Sequence, residues 1–192
     1  LISDIRKEVS SGILKPGDQL EVNALAERFG VSRTPIREAI RTLVESGILE
    51  TRPRKGSFVR VLSAKQLLDL FQVAAELEGM ACRLAALSLT KENVEAIERG
   101  LAKCIQAAEV QNNAEYAMAN LDFHTAIHNA SGNDWLIEQL RQLQINLNSY
   151  RTMPYEIRGR LKKSTDEHKI ICDAILSGDG EHACNLMRDH MM

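Results

Sequence analysis

Hydrophobic positions recur at helical spacing along most of the 192-residue chain, and alternate in only one short stretch. Ile2, Ile5 and Val9 share one face of a first helix, which the turn signals Gly12 and Pro16-Gly17-Asp18 bring to an end. A short second helix is expected over about 24–29, with Asn23 as its N-cap and Gly30 at its stop. Ser32 caps a third helix, Pro35 is tolerated in its first turn, and Gly47 closes it. Ile36, Ala39, Ile40, Leu43 and Val44 make its inner face. Arg33, Arg37 and Arg41, at i, i+4 and i+8, make an outward basic stripe suited to an exposed helix in the major groove. Two β-prone runs, 48–51 and 57–61, then flank the turn Pro53-Arg54-Lys55-Gly56, which carries its charges to a hairpin tip.

The remainder reads as helix almost throughout. Leu67, Leu68, Leu70, Phe71, Val73 and Ala74 begin an amphipathic pattern that runs to Leu89, and Thr90 caps another over about 91–110. Further helices are expected over about 114–130 and 135–151, on either side of Ser131-Gly132-Asn133-Asp134. Residues 152–160, with Pro154 and Gly159, read as irregular. Ser164 and Glu167 form a capping box for a helix ending at Gly178, and a last one spans 181–192. The pattern predicts a mainly α protein in two domains. Residues 1–62 form a winged helix-turn-helix, and residues 63–192 an all-α antiparallel bundle of six or seven helices whose core is the natural place for a ligand.

Composition narrows the class. With 44% hydrophobic and 26% charged residues the chain is globular, not disordered. No window approaches the roughly 20 apolar residues that span a bilayer, and the first residues lack a signal-peptide pattern. A soluble, cytoplasmic protein with no membrane partner is expected. Cys82, Cys104, Cys172 and Cys184 lie far apart with no CxxC pair, each in an apolar helical pattern, so buried free thiols are expected before disulfides or a thiolate metal site. The net charge of −2 hides a division: residues 1–62 hold 11 basic and 8 acidic side chains, residues 63–192 hold 13 and 18. Within 28–60 the ratio is 8 to 3, the electrostatic footprint of a phosphate-binding surface.

The run Leu25-Ala26-Glu27-Arg28-Phe29-Gly30-Val31-Ser32-Arg33-Thr34-Pro35-Ile36-Arg37-Glu38-Ala39-Ile40, with Gly12 to Leu20 before it, resembles the signature of GntR-family transcription regulators. The resemblance implies that Arg33 and Arg37 contact bases and that Ser32, Thr34 and Arg41 help hold phosphates. It also implies that Lys55 and Gly56 let the wing enter the minor groove. One short recognition helix reads few bases, so a homodimer on a palindromic double-stranded operator is expected. The plainer alternative makes the arginines a solvated helix face; the charge division and the wing weigh against it.

All five histidines lie beyond residue 123. His124 shares an apolar face with Ala117, Leu121 and Ile127, and Asn120 stands one turn before it. His168 precedes Ile171, Cys172 and Ile175 at i+3, i+4 and i+7; His190 bears the same relation to Ala183, Leu186 and Met187. Three imidazoles and an amide on apolar faces could supply nitrogen and oxygen ligands to a divalent ion. Taken singly, each is more simply a core histidine satisfied by a neighbour. Residues 120–124 with Ser131-Gly132-Asn133, Glu167 to Ile171, and Met187-Arg188-Asp189-His190 resemble the FCD effector domain of the FadR subfamily of GntR regulators. That resemblance implies a divalent metal, zinc or nickel, on Asn120, His124, His168 and His190. His128 could replace Asn120 as the i+4 partner of His124, His182 reads as a surface residue, and Asp122 points about 200° away from Asn120.

One departure bears on the effector. Many FCD domains place an arginine four residues before the glutamate matching Glu78, where it clasps a carboxylate; here Ala74 stands there. An anion contact must come from elsewhere, with Arg83 and Arg151 the candidates. The expected function is a metabolite-responsive regulator, a repressor, whose helical domain binds the metal and a small organic acid. A purely structural metal is the alternative. A metal-dependent hydrolase is disfavoured, because no spare carboxylate stands at a diagnostic spacing as general base.

Overall fold

The apolar faces of the first sixty residues close on one another in a small three-helix unit with a wing. The computed structural model describes residues 1–10, 12–151, 155 and 157–192, without the side chains of 148, 149 and 151. The elements in order are α1 (Ile2–Ser10), β1 (Gln19–Leu20), α2 (Val22–Phe29), α3 (Arg33–Glu45), β2 (Leu49–Arg52) and β3 (Gly56–Val59). Ile5, Val9, Leu20, Leu25, Ile36, Leu43, Leu49 and Val59 are buried together as the core of this unit. The strands form an antiparallel sheet in the order β1-β3-β2, with Gln19 opposite Phe58 and Glu50 opposite Phe58 on the other side. Strand β1 was not expected: two residues are too few to show alternation, and they are extended only because β3 offers them a partner. The second helix begins earlier than the spacing suggested. Glu21, not Asn23, takes the N-cap position, since the Leu25 amide already closes the first turn on the Glu21 carbonyl.

The helices that follow are α4 (Ala64–Leu87), α5 (Lys91–Glu109), α6 (Asn113–Ala130), α7 (Asp134–Arg151), α8 (Arg160–Leu176) and α9 (Gly180–Met191). The chain divides into two compact units, Leu1–Leu67 with Gln144–Tyr150, and Leu68–Leu143 with Arg151–Met192. In the second unit α5 packs on α6 and α8, and α8 on α9. Among the described residues five starts are fixed by side chains: Ser63 accepts from the Gln66 amide, Thr90 from Asn93, Asn112 from Glu115, Asn133 from Leu136 and Asp179 from His182. The expected capping box at Ser164 and Glu167 does not form. Gly159, at φ 84°, starts α8 a turn earlier, so Ser164 is buried inside the helix and Glu167 is used elsewhere. All four cysteines are free and buried, and burial pushes the thiols of Cys104 and Cys172 up to about 12 and about 11. Among the described residues no helix is long and apolar enough to cross a membrane.

Candidate functional site

Two surfaces carry the residues singled out above. On α3, Ile36, Ala39, Ile40 and Leu43 are buried, which turns Arg33, Arg37 and Arg41 outward on the opposite face. Arg41 contacts Glu38 at 2.8 Å and Glu45 at 3.9 Å, exposed pairs that hold it weakly. Ser32 takes the N-cap position in an extended conformation, but its side chain makes no capping hydrogen bond. Thr34 is exposed beside it. At the wing, Arg54 and Gly56 adopt positive φ, 62° and 99°, so the turn is tight and the exposed Lys55 projects from its tip. Gln19 donates to the Lys55 carbonyl at 2.9 Å, and Arg52 lies 4.3 Å over the Phe58 ring while paired to Glu50, which stiffens the hairpin.

In the second unit α6, α8 and α9 bring His124, His168 and His190 together, with one ligand nitrogen of each within 4.8 Å of the others. The Nε2 atoms of His168 and His190 are 3.2 Å apart. A tetrahedral ion with metal–nitrogen bonds of about 2.0–2.1 Å needs nitrogens about 3.3 Å apart, so the donor set fits a first-row ion. Asn120 is buried one turn before His124 and lines the same cavity as His124 and His190.

Two of the three imidazoles, His190 and His124, meet a carboxylate on their outer side. His190 Nδ1 lies 2.7 Å from Glu167 Oε2, which also receives Arg160 at 3.3 Å. His124 Nδ1 lies 3.0 Å from Glu78 Oε2, and His128 Nε2 lies 2.8 Å from the same oxygen. Carboxylates behind metal-binding imidazoles fix ring orientation and tautomer. Burial pushes the Glu78 carboxyl up, but His128 and His124 outweigh it and hold it well below the usual carboxylate range. For Glu167 burial acts in the same direction, and the hydrogen bond from His190, with Arg160, brings it down to about 2. A carboxyl depressed on folding stabilises the protein above its ordinary value of 4.5 and loses that contribution as pH falls toward 2. Urea unfolding at pH 5 and pH 3 therefore shows a smaller acid loss in Glu167→Gln than in wild type. An acid limb as steep in the variant as in wild type would assign the loss to other groups.

Asn120, His124 and His190 open on a cavity of about 450 Å³ lined also by apolar Leu68, Phe71, Tyr155 and Met191 and by basic Arg160 and Lys163. Of the cations expected there, Arg83 is not among the lining residues: it is half-exposed and pairs with Glu181 at 3.2 Å. The side chain of Arg151 lies outside the described residues. His182 is exposed, as its surroundings in sequence suggested. His128 is buried and does not line the cavity; it groups with Glu78 and with His124, which belongs to both clusters. Sequence reasoning named Glu78 and Glu167 without giving either a role at this site, and passed over Arg160 and Lys163. Glu78 left one signal, a charged residue at helical spacing from the apolar positions Ala74, Ala75, Ala81, Cys82 and Ala85.

Residues 1–59 match the family model "Bacterial regulatory proteins, gntR family", and residues 69–192 match the FCD domain. The HTH-type transcriptional regulator McbR of Escherichia coli (strain K12) is 30% identical over 181 residues, 93% of this chain and 82% of McbR. The probable D-xylose utilization operon transcriptional repressor of Paenarthrobacter nicotinovorans is 30% identical over 184 residues, covering 96% and 80% of the two chains. The solved structure of E. coli McbR/YncC superimposes with a TM-score of 0.87 at 29% identity, over 99% of this chain and 91% of that one. A putative GntR regulator from Rhodococcus sp. RHA1, at 19% identity, shares the fold with a TM-score of 0.81.

Proposed function

Since the chain belongs to the GntR family of bacterial regulatory proteins and carries an FCD domain, it is a DNA-binding transcription regulator, and we propose that it is a metabolite-responsive repressor of the FadR subfamily. In this proposal residues 1–62 read a palindromic operator as a homodimer, and residues 63–192 hold a divalent metal and sense a small organic anion. Both matched families are those of regulators, so the hydrolase is set aside.

The DNA-binding half rests on the outward stripe of α3 beside a stiff basic wing. Arg33 and Arg37 are assigned to base edges, since arginine pairs bidentately with guanine in the major groove. Ser32, with its hydroxyl outside any cap, is assigned with Thr34 and Arg41 to phosphates, and Lys55 and Gly56 to the minor groove. Arg37→Ala should cost about 1–3 kcal/mol on operator DNA and relax specificity at one position of each half-site. Anisotropy titrations on operator and random duplexes at several salt concentrations measure this. Equal losses on both would reassign Arg37 to phosphate contact.

The observation that carries the sensing half is the convergence of His124, His168 and His190 from three helices, with His124 and His190 lining one cavity. Asn120 with these histidines would hold a zinc or nickel ion, which would supply positive charge at the cavity. Arg160 and Lys163 take over the charge-neutralising role that Ala74 cannot fill and that Arg83 and Arg151 were expected to fill. Glu167 orients both Arg160 and His190, so an anion drawing on Arg160 also loads the cluster. Coupling to DNA requires that the effector bind the DNA-competent and incompetent states unequally, and it is reciprocal. Titrating organic acids against operator-bound protein, wild type and Arg160→Gln, tests it. Release by one acid, weakened in the variant, supports the sensor. Acids that bind tightly without altering operator affinity would leave the metal as a structural staple.

A further inference from the structure

We propose that His128 is a positioning residue for the metal site: through the shared Oε2 of Glu78 it fixes the ring and tautomer of His124, so that His124 Nε2 presents its lone pair to the cluster. The inference rests on the reading that His124 is a metal ligand. It concerns a residue that lies one turn beyond that ligand and belongs to no motif in the chain.

The geometry carries it in four steps. Glu78, on α4, is 1% exposed, and its Oε2 meets His124 Nδ1 at 3.0 Å and His128 Nε2 at 2.8 Å. An ionised carboxylate oxygen only accepts, so both ring nitrogens that face it are N–H donors. A neutral imidazole carrying its proton on Nδ1 has its lone pair on Nε2, the atom a metal needs, and His124 has its ring 5.5 and 5.6 Å from those of His168 and His190. Finally, the grip is two-sided. His124 and His128 project from one rigid helix, and the approximately 40° drift between positions four apart turns Asn120 to the cavity and His128 to Glu78. Glu78 therefore cannot rotate away from His124 without also losing the His128 bond, in a place where a lost partner for a charged group is costly.

The test compares His128→Gln with His128→Asn in the full-length protein. The two amides are equally polar, but glutamine reaches about as far as histidine Nε2 and asparagine stops at the depth of Nδ1. Zn²⁺ affinity, by competition with a chromophoric chelator, should fall about 10-fold in His128→Asn, the low end of the range for loss of a ligand's own outer partner because Glu78 itself remains, and stay within about two-fold of wild type in His128→Gln. In metal-free protein, ¹⁵N chemical shifts should place His124 in the Nδ1–H tautomer in wild type and His128→Gln, and in a mixture in His128→Asn. Unchanged affinity or an unchanged tautomer in His128→Asn, beside a weakened His124→Ala, would overturn this inference alone. Full affinity in His124→Ala would remove the metal reading and this inference with it. Two ions per wild-type chain, with one lost in His128→Asn, would make His128 a ligand and overturn its positioning role.

Discussion

Replacing His168 by alanine is expected to weaken metal binding about 100-fold, enough to lose the ion to a competing chelator that leaves wild type loaded, and His124→Ala and His190→Ala should do the same. Apparent binding energies of protein zinc sites run to about 10–16 kcal/mol; spread over four donors that is about 3 kcal/mol each, or on the order of 100-fold in Kd per ligand. The missing imidazole is not replaced from nearby, because His168 is fully buried and its ring packs 4.5 Å from that of Phe123. Elemental analysis after dialysis against a weak chelator measures the content, and native mass spectrometry of the same sample reports any dimer and any retained metabolite. His182→Ala, at an exposed position, provides the comparison and should bind as wild type does. Because binding to the folded state alone stabilises it by RT ln(1 + [L]/Kd), added Zn²⁺ should raise the melting temperature of wild type and leave the three variants nearly unmoved. Retention of a full equivalent of metal in all three would sink the assignment of the cluster.

How far such a site can be read from sequence depends on where its partners lie. Helix faces were legible because burial repeats every three or four residues: His124, His168 and His190 each stood among apolar positions, and each is turned inward. The DNA-facing stripe was legible for the same reason, as were the helix starts with a local chemical signature, such as Thr90. What was not legible is long-range. Glu78 meets its two histidines across 46 and 50 residues, and nothing local announces that the second will be His128. Glu167 carried a misleading local signal, since Ser164 and Glu167 have the spacing of a capping box while the tertiary fold spends the carboxylate on His190 and Arg160. Arg160 and Lys163 begin a helix that Gly159 permits, whereas the sequence pattern ended its irregular stretch at 160. The effector cation was sought instead on α4 and α7, at Arg83 and Arg151.

Gly100→Ala should destabilise the helical unit by about 1–3 kcal/mol and weaken the metal site with it, although alanine is the better helix former by about 1 kcal/mol. Gly100 is buried on α5 where that helix crosses α6, and a Cβ there would stand 2.8 Å from the Phe123 Cα and 3.1 Å from the Phe123 nitrogen. Both neighbours are backbone, so no side-chain rotation relieves the contact and the two helices must move apart. Phe123 immediately precedes His124 and packs against His168, so a displacement of α6 at this point is delivered directly to two of the three histidines. The same separation opens the interior around Ile97, Cys104 and Ile127, each fully buried, and forfeits dispersion contacts there. Chemical denaturation of metal-free protein isolates the packing cost, and Zn²⁺ titration of the folded fraction isolates the displacement of the ligands. A variant as stable as wild type, with unchanged affinity, would mean that α5 and α6 have slack at their crossing and that the cluster does not depend on their close approach.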